Sequence, residues 1–368
     1  MIFGAGEAAV VGAEARALGV SRVLIVADAG VEAAGLLTPI RESLSQLGLK
    51  HETFCGVDSN PTEANIRAGA VAYENAEANG LIAVGGGSPI DAAKLVAVRV
   101  STSRPFEELD DAVDGGQHVP AQLPPIIALP TTAGTGSEVG RSGVLTLESS
   151  GRKTVIFAPQ LLPRVAILDP ELSVGLPGPI TAATGFDALT HCVEAYLAAG
   201  VHPMADAIAV AGIDLVARYL KRAVDDGSDL EARGAMLQAA MMGAVAFQKG
   251  LGACHSLAHP LSSECGLHHG LANAMCLPAV ALFNEVTSLE RLLHVSLLLG
   301  GEASAGAATR ALLALRSDLA LPTGLAALGV EPAQLPRLAE LAFLDACHRS
   351  NPRRCSQADL LALYKAAM

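Results

Sequence analysis

The chain changes character near residue 180, and that change limits its fold more than any other feature. Upstream, strand-like runs (SRVLIVAD at 21–28, HETFCGV at 51–57, GLIAVGGG at 80–87, PPIIALPTTAGTGSE at 124–138) alternate with stretches of helical spacing, such as those running to Leu47 and over 63–79. Such alternation predicts βαβ units and a parallel sheet. Downstream, Ala/Leu/Met-rich segments at 206–222, 231–248, 271–285, 304–320 and 355–367 have helical period and length, and no strand pattern returns. Between the two regimes lies ILDPELSVGLPGPI (167–180), whose three prolines and two glycines mark a boundary. We therefore expect an α/β domain over 1–176 and an all-helical domain over 177–368. A chain of 368 residues has room for two cores.

Composition narrows the class. The chain is 51% hydrophobic and has no Trp, so Ala, Leu and Val must fill its cores. A formal net charge of −12 speaks against nucleic acid or an anionic membrane as partner, since both repel an acidic surface. Seven cysteines without a CxxC pair suit a reducing compartment. The N-terminus has no basic segment ahead of its apolar residues, and no apolar run reaches the ~18 residues that span a bilayer. The expected location is cytoplasmic.

Two loops that follow predicted strands share a chemistry. GGGSPIDAAK (85–94) opens a helix, with Ser88 as the expected N-cap, Pro89 at the first helical position and Asp91 three residues after the cap. Glycines such as Gly86 and Gly87 let backbone approach a pyrophosphate, and a helix N-terminus adds free N–H groups and the positive end of a dipole. The motif is not GxGxxG, and alone its glycines also suit a tight turn. PTTAGTGSE (130–138) contributes the hydroxyls of Thr131, Thr132 and Thr135. Ligands bind at this edge of an open parallel sheet, so two such loops point to a dinucleotide. Asp28 ends the first predicted strand, where a carboxylate accepts from a ribose 2′-hydroxyl and repels a 2′-phosphate. NAD is therefore expected over NADP, the plainer reading being an Asp that begins a turn.

Metal-binding residue types cluster in the helical half. Asp187 and His191, in GFDALTHCVEAY (185–196), stand four apart and share a helix face. Four of the ten histidines fall in GLGACHSLAHPLSSECGLHHG (250–270), where His255 and His259 repeat the spacing and a loop with Pro260 and Gly266 leads to His268 and His269. Any one of these histidines alone reads as a hydrogen-bonded core residue. One carboxylate and three imidazoles together make a site for a divalent transition metal. Such an ion keeps net charge +1, lowers the pKa of a bound alcohol and lets hydride depart to a nicotinamide without changing its own oxidation state.

Taken together, GGGSPIDAAK, PTTAGTGSEV, ATGFDALTHCVEAY, GLGACHSLAHPLSSECGLHHGLANAMCLP and the late NPR (351–353) resemble the iron-containing alcohol dehydrogenase family over almost the whole chain. The resemblance implies a dinucleotide-binding domain followed by a helical metal- and substrate-binding domain, the architecture shared with dehydroquinate synthase. It implies Asp187, His191, His255 and His269 as ligands to ferrous iron, with zinc competing for the same set. His269 is preferred to His268 because it directly precedes Gly270. His259 matches a non-ligand histidine near the substrate and is the candidate proton relay. For the cofactor it points to Asp28, Asn60, Gly86, Gly87, Ser88, Thr131, Thr132, Thr135 and Lys153, and Asp91 lies at the same helix start. Phe247 and Cys347 match pocket-lining positions. Gly140, Ser142 and Gly143 are smaller than in one family member, which suggests a roomier pocket beside Arg141, a candidate partner for a substrate carboxylate whose plainer reading is a solvated loop residue. Cys192 and Glu194 share the ligand helix and receive no role.

The expected substrate is a small alcohol or aldehyde, and the expected assembly a homodimer. The chain starts almost at Phe3-Gly4, however, where relatives carry a preceding strand that some use in dimer contacts. A dehydroquinate-synthase-type lyase would need basic residues to grip its anionic substrate, and 250–270 contains no Lys or Arg. The pattern also admits a metal-independent enzyme of the maleylacetate reductase branch and a non-catalytic sensor, and the complete ligand set argues against the sensor.

Overall fold

A computed structural model describes all 368 residues. It divides into two compact units, 1–132 with 136–175 and 133–135 with 176–368. The first holds strands β1 (Ile2–Phe3), β2 (Arg22–Val26), β3 (Lys50–Phe54), β4 (Gly80–Gly85), β5 (Ile126–Pro130), β6 (Ser142–Thr146), β7 (Lys153–Phe157) and β8 (Val165–Leu168). Its helices are α1 (Val11–Ala17), α2 (Ala29–Ala33), α3 (Thr38–Gln46), α4 (Glu63–Asn75) and α5 (Gly87–Arg99).

Six strands form a parallel sheet in the order β1-β8-β5-β4-β2-β3. Side chains alternate across a strand, and here the alternation serves two cores. Leu24 and Val26 pack with Ile66 of α4 and Ile90 of α5, while Val23 and Ile25 pack with Val11 of α1 and Ile40 of α3. Every residue of β4 and β5 is buried, as for strands covered on both faces. The strand order reverses between β2 and β4, so Asp28 and the Gly86-Gly87 pair leave neighbouring strand ends at a topological switch point.

The segment 138–145 enters an antiparallel hairpin of β6 and β7. Its glycine has a packing reason: a Cβ at Gly143 would lie 2.9 Å from Leu95 Cγ. Close packing on α5, not room for a substrate, accounts for that small residue. Below the hairpin, Lys94 is fully buried and its Nζ donates to Ser137 O (2.7 Å), Ser137 Oγ (2.8 Å), Ser142 O (2.8 Å) and Gly140 O (3.0 Å). Burial pushes its pKa down to about 8 against the opposing charges of Asp91 and Glu138, and pushes Glu138 up to about 7. Removing one partner from a buried charged network leaves the others unpaired. Lys94→Met is therefore expected to lower stability by roughly 3–5 kcal/mol, read as a lower urea midpoint at unchanged slope.

The second unit is helical throughout: α6 (Gly178–Leu197), α7 (Pro203–Asp225), α8 (Leu230–Ala246), α9 (Ala253–Cys265), α10 (His269–Leu298), α11 (Ala307–Asp318), α12 (Leu335–Leu344) and α13 (Gln357–Ala367). Its core is Ala, Leu, Val and Met around Phe186 and Tyr364. With few large residues, the helices approach closely. A Cβ at Gly185 would lie 2.2 Å from Leu220 Cδ1, so glycine there sets the α6–α7 spacing. No helix is long and apolar enough to cross a membrane.

Candidate metal centre and nucleotide cradle

In the first unit, the glycine and threonine loops meet at the carboxyl ends of β4 and β5. Thr131 N donates to Gly85 O (2.9 Å), and a Cβ at Gly86 would lie 3.1 Å from Thr132 Oγ1. Gly85 has φ +151°, which L side chains rarely adopt. The helix begins earlier than expected: Gly86 is the cap, with no side-chain bond, and Ser88 lies inside the first turn with its Oγ donating to Ser59 O (2.7 Å). The α5 N–H groups are thus left without a capping side chain at the glycine turn.

Other predicted cofactor residues have defined local tasks. Lys153 Nζ donates to Asn60 Oδ1 (3.2 Å), which brings two of them together. Asp28 caps α2 by accepting from Val31 N (2.9 Å), the plainer of its two readings at that oxygen. Asp91 is corrected: its carboxylate accepts from Ser137 Oγ (2.5 Å) and Val144 N (3.2 Å), so it ties the hairpin to α5. Arg141 places its guanidinium over the Phe157 ring at 4.8 Å, and Ser142 lies on β6. Thr135 falls in the second unit.

In that unit, α6, α9 and the start of α10 converge. Donor atoms of Asp187, His191 and His255 all lie within 4.8 Å of one another, and all three residues are buried. Asp187 Oδ1 is 3.9 Å from His255 Nε2 and 3.6 Å from His269 Nε2. Two donors each bound about 2.1 Å from one ion lie roughly 3–3.5 Å apart. The two distances to Asp187 are near that range, while His269 lies outside the group of three whose donors are mutually within 4.8 Å and would have to move inward to share an ion with all of them. Gly270, next to His269, brings α10 against α6: a Cβ there would lie 2.1 Å from Ala183 O. His268 sits just outside, as the residue before α10.

The protonation states suit a cation. Burial would raise the Asp187 carboxyl, but the imidazoles of His191, His269 and His255 outweigh it and hold the group at about 2. Burial takes His191 down to about 4, so that ring is neutral near pH 7. Asn273 Nδ2 donates to Asp187 Oδ1 (2.7 Å) and lies 3.3 Å from His269 Nε2 and 3.5 Å from His255 Nε2. An anionic oxygen and ring nitrogens converging on one spot are the donor set that a divalent transition metal takes.

Three contributors escaped the sequence reading. Glu194 is buried beneath His255. Its position was findable, since it lies three residues after His191 and seven after Asp187 on the same helix face. Asn273 stands four after His269 in the same way. Asp345 gave no local signal. Its Oδ2 accepts from His259 Nδ1 (2.7 Å), while Oδ1 accepts from Ser256 Oγ (2.7 Å) and Cys347 N (2.8 Å). Burial alone would raise the Asp345 carboxyl, yet the His259 charge and these hydrogen bonds hold it well below the usual carboxylate range. His259 stacks on His269 with ring centroids 5.4 Å apart, and Phe247 lies against His191 at 4.9 Å. Cys192, by contrast, is a buried packing thiol pushed up to about 12.

A parallel sheet with a glycine turn at its switch point, in a chain that also carries a buried carboxylate–imidazole cluster, has the parts that a nucleotide-dependent, metal-assisted oxidoreductase requires. Comparison with known proteins agrees. Residues 1–170 match the model described as iron-containing alcohol dehydrogenase, and 181–368 match that of the Fe-containing alcohol dehydrogenase family, C-terminal. The chain is 38% identical over 378 residues to a 4-hydroxybutyrate dehydrogenase of Cupriavidus necator, covering 99% of this chain and 96% of the relative. It superposes on a crystal structure of a 1,3-propanediol oxidoreductase with TM-score 0.96 at 36% identity, covering 100% and 97%. A sulfoacetaldehyde reductase from Bifidobacterium kashiwanohense, solved in complex with NAD+, gives TM-score 0.90 at 29% identity, covering 99% and 95%. The chain belongs to the iron-containing alcohol dehydrogenase family.

Proposed function

We propose that the chain interconverts alcohols and aldehydes in an NAD(H)-linked, metal-dependent reaction, with Asp187, His191, His255 and His269 holding ferrous iron and the 1–176 domain holding the dinucleotide. The observation that carries the metal assignment is the convergence of Asp187, His191 and His255 within 4.8 Å, with His269 3.6 Å from Asp187. When bound, the ion supplies Lewis acidity that lowers the pKa of an alcohol oxygen. The protein's own groups do the rest. Asp187 neutralises one positive charge, so an anionic oxygen is stabilised without excess charge in the site. Asp345 accepts from His259 Nδ1, which leaves Nε2 as the atom that takes a proton during oxidation and returns it during reduction. Phe247, against His191, walls that side from water.

On the nucleotide side, Gly86, Gly87 and Ser88 present N–H groups at the start of α5 for a pyrophosphate. Thr131, Thr132 and Thr135 add hydroxyls, and Asn60 with Lys153 form a polar pair for the same ligand. Asp28 favours NAD over NADP by repelling a 2′-phosphate. A homodimer in the cytoplasm is part of the reading, the cytoplasmic location being supported by the seven unpaired cysteines.

Among substrates, we favour short ω-hydroxy acids and diols, in keeping with the names of the relatives. The test is NADH formation over a panel of ω-hydroxy acids, diols and monoalcohols, using metal-stripped protein reloaded with iron or zinc. Turnover is expected with at least one metal, and no turnover with either sinks the assignment. In the same panel, Arg141→Ala is expected to reduce kcat/KM about 3–5-fold more for a hydroxy acid than for a neutral alcohol, the size of one solvent-screened charge contact. Equal losses would leave Arg141 to its stacking on Phe157.

A further inference from the structure

We propose that Glu194 is a positioning residue of the metal centre: it fixes His255 in the tautomer and orientation that ligation requires, and so sets how tightly the ion is held. The inference rests on the ligand assignment above.

Glu194 is 2% exposed, and its carboxylate engages the first turn of α9 three times. Its Oε1 accepts from Cys254 N (2.6 Å), and its Oε2 accepts from His255 N (3.3 Å) and His255 Nδ1 (2.6 Å). Helix α9 has no cap of its own, because Gly252 has no side chain to offer. Its opening N–H groups are instead met from afar, by Glu194 and by Asn351 Oδ1 at Ala253 N (3.2 Å). A Cβ at Gly252 would lie 2.6 Å from Glu194 Oε1 and 2.9 Å from Asn351 Oδ1, so glycine at this position is what admits both acceptors.

The chemistry follows from which ring nitrogen carries the proton. With Nδ1–H donated to Glu194, the lone pair of His255 resides on Nε2, the atom that faces Asp187 Oδ1. A carboxylate at that point also raises the basicity of the imidazole. The same group thus does two jobs, capping a helix and presenting a ligand, and the two can be separated. Gln at 194 keeps one oxygen for Cys254 N, the shorter of the two capping contacts, gives up the 3.3 Å contact with His255 N, and turns an amide NH₂ toward His255 Nδ1. A donor there favours the Nε2–H tautomer, which has no lone pair to give.

The experiment is a zinc titration of the full-length protein against a competing chelator, with the rate of zinc loss from the loaded enzyme and the Tm of the metal-free protein measured alongside. Glu194→Gln is expected to raise the zinc Kd about 10–100-fold and to speed release, with the metal-free Tm near wild type. Glu194→Asp retains the acceptor with a shorter reach and is expected to fall between. If Glu194→Gln does not fold, Glu194→Asp is read in its place. Wild-type zinc affinity and release in a folded Glu194→Gln protein, or in Glu194→Asp where that is the variant read, would overturn the proposal and leave Glu194 as a helix cap. Asp187→Ala in the same titration separates the two levels: if it too binds zinc as wild type does, the ligand assignment itself has failed.

Discussion

Asp187→Ala is expected to purify nearly free of metal and to lose at least about 10³-fold in kcat/KM, because Lewis-acid stabilisation of an alkoxide is worth several kcal/mol and each ~1.4 kcal/mol is a factor of ten. Asp187 is the one anionic group among the four proposed ligands. Without it, three neutral rings would surround a dication in a buried site, where charge is poorly screened. Asp187→Asn is the sharper variant, since it retains the shape of the side chain while removing the charge. Metal content by elemental analysis and steady-state rates measure both effects. A metal-free mutant that remained active would move the protein to the metal-independent, maleylacetate-reductase-like branch.

The second large effect belongs to the pair on the other side of His269. His259→Ala is expected to lower kcat by about 10²-fold, the lower end of what a positioned proton-transfer group supplies. Asp345→Asn should cost about 10-fold, because an amide at that place holds the ring less firmly and no longer favours the Nδ1–H form. Asp345 is itself fixed by Ser256 Oγ and Cys347 N, so the imidazole is held through two further anchors. A wild-type kcat in both variants, with metal content intact, would remove His259 from the proton path.

These residues also mark where sequence reading stops. The strands, the glycine loop and the change of regime near residue 180 could be read because period, turn chemistry and length are local properties. Asp187 and His191 could be read because four residues make one helical turn. Yet the same spacing in His255 and His259 conceals a difference. His255 joins Asp187, whereas His259 turns to Asp345, 86 residues away. Glu194 looked like any polar residue on a helix, since its partners lie 60 and 61 residues on. Asp91 misled for the opposite reason. A carboxylate in the first turn after a glycine loop suits a ligand contact, but Ser137 takes one of its oxygens and Val144 of the β6–β7 hairpin, unseen in the sequence, takes the other. Small residues at 140–143 suggested space, whereas Gly143 marks contact with α5. Long-range pairing decides each of these cases.

The meeting of Gly270 with the Ala183 carbonyl has a reach beyond its own contact. Two main chains touch there, one residue from His269, a proposed ligand, so the approach of α10 to α6 is set by backbone rather than by adjustable side-chain rotamers. Any larger residue at 270 must prise the helices apart and carry His269 outward, away from Asp187 and His191. Glycine at 270 is thus a condition of the cluster's compactness: the closeness of His269 to Asp187 depends on a main-chain contact that no side chain could make.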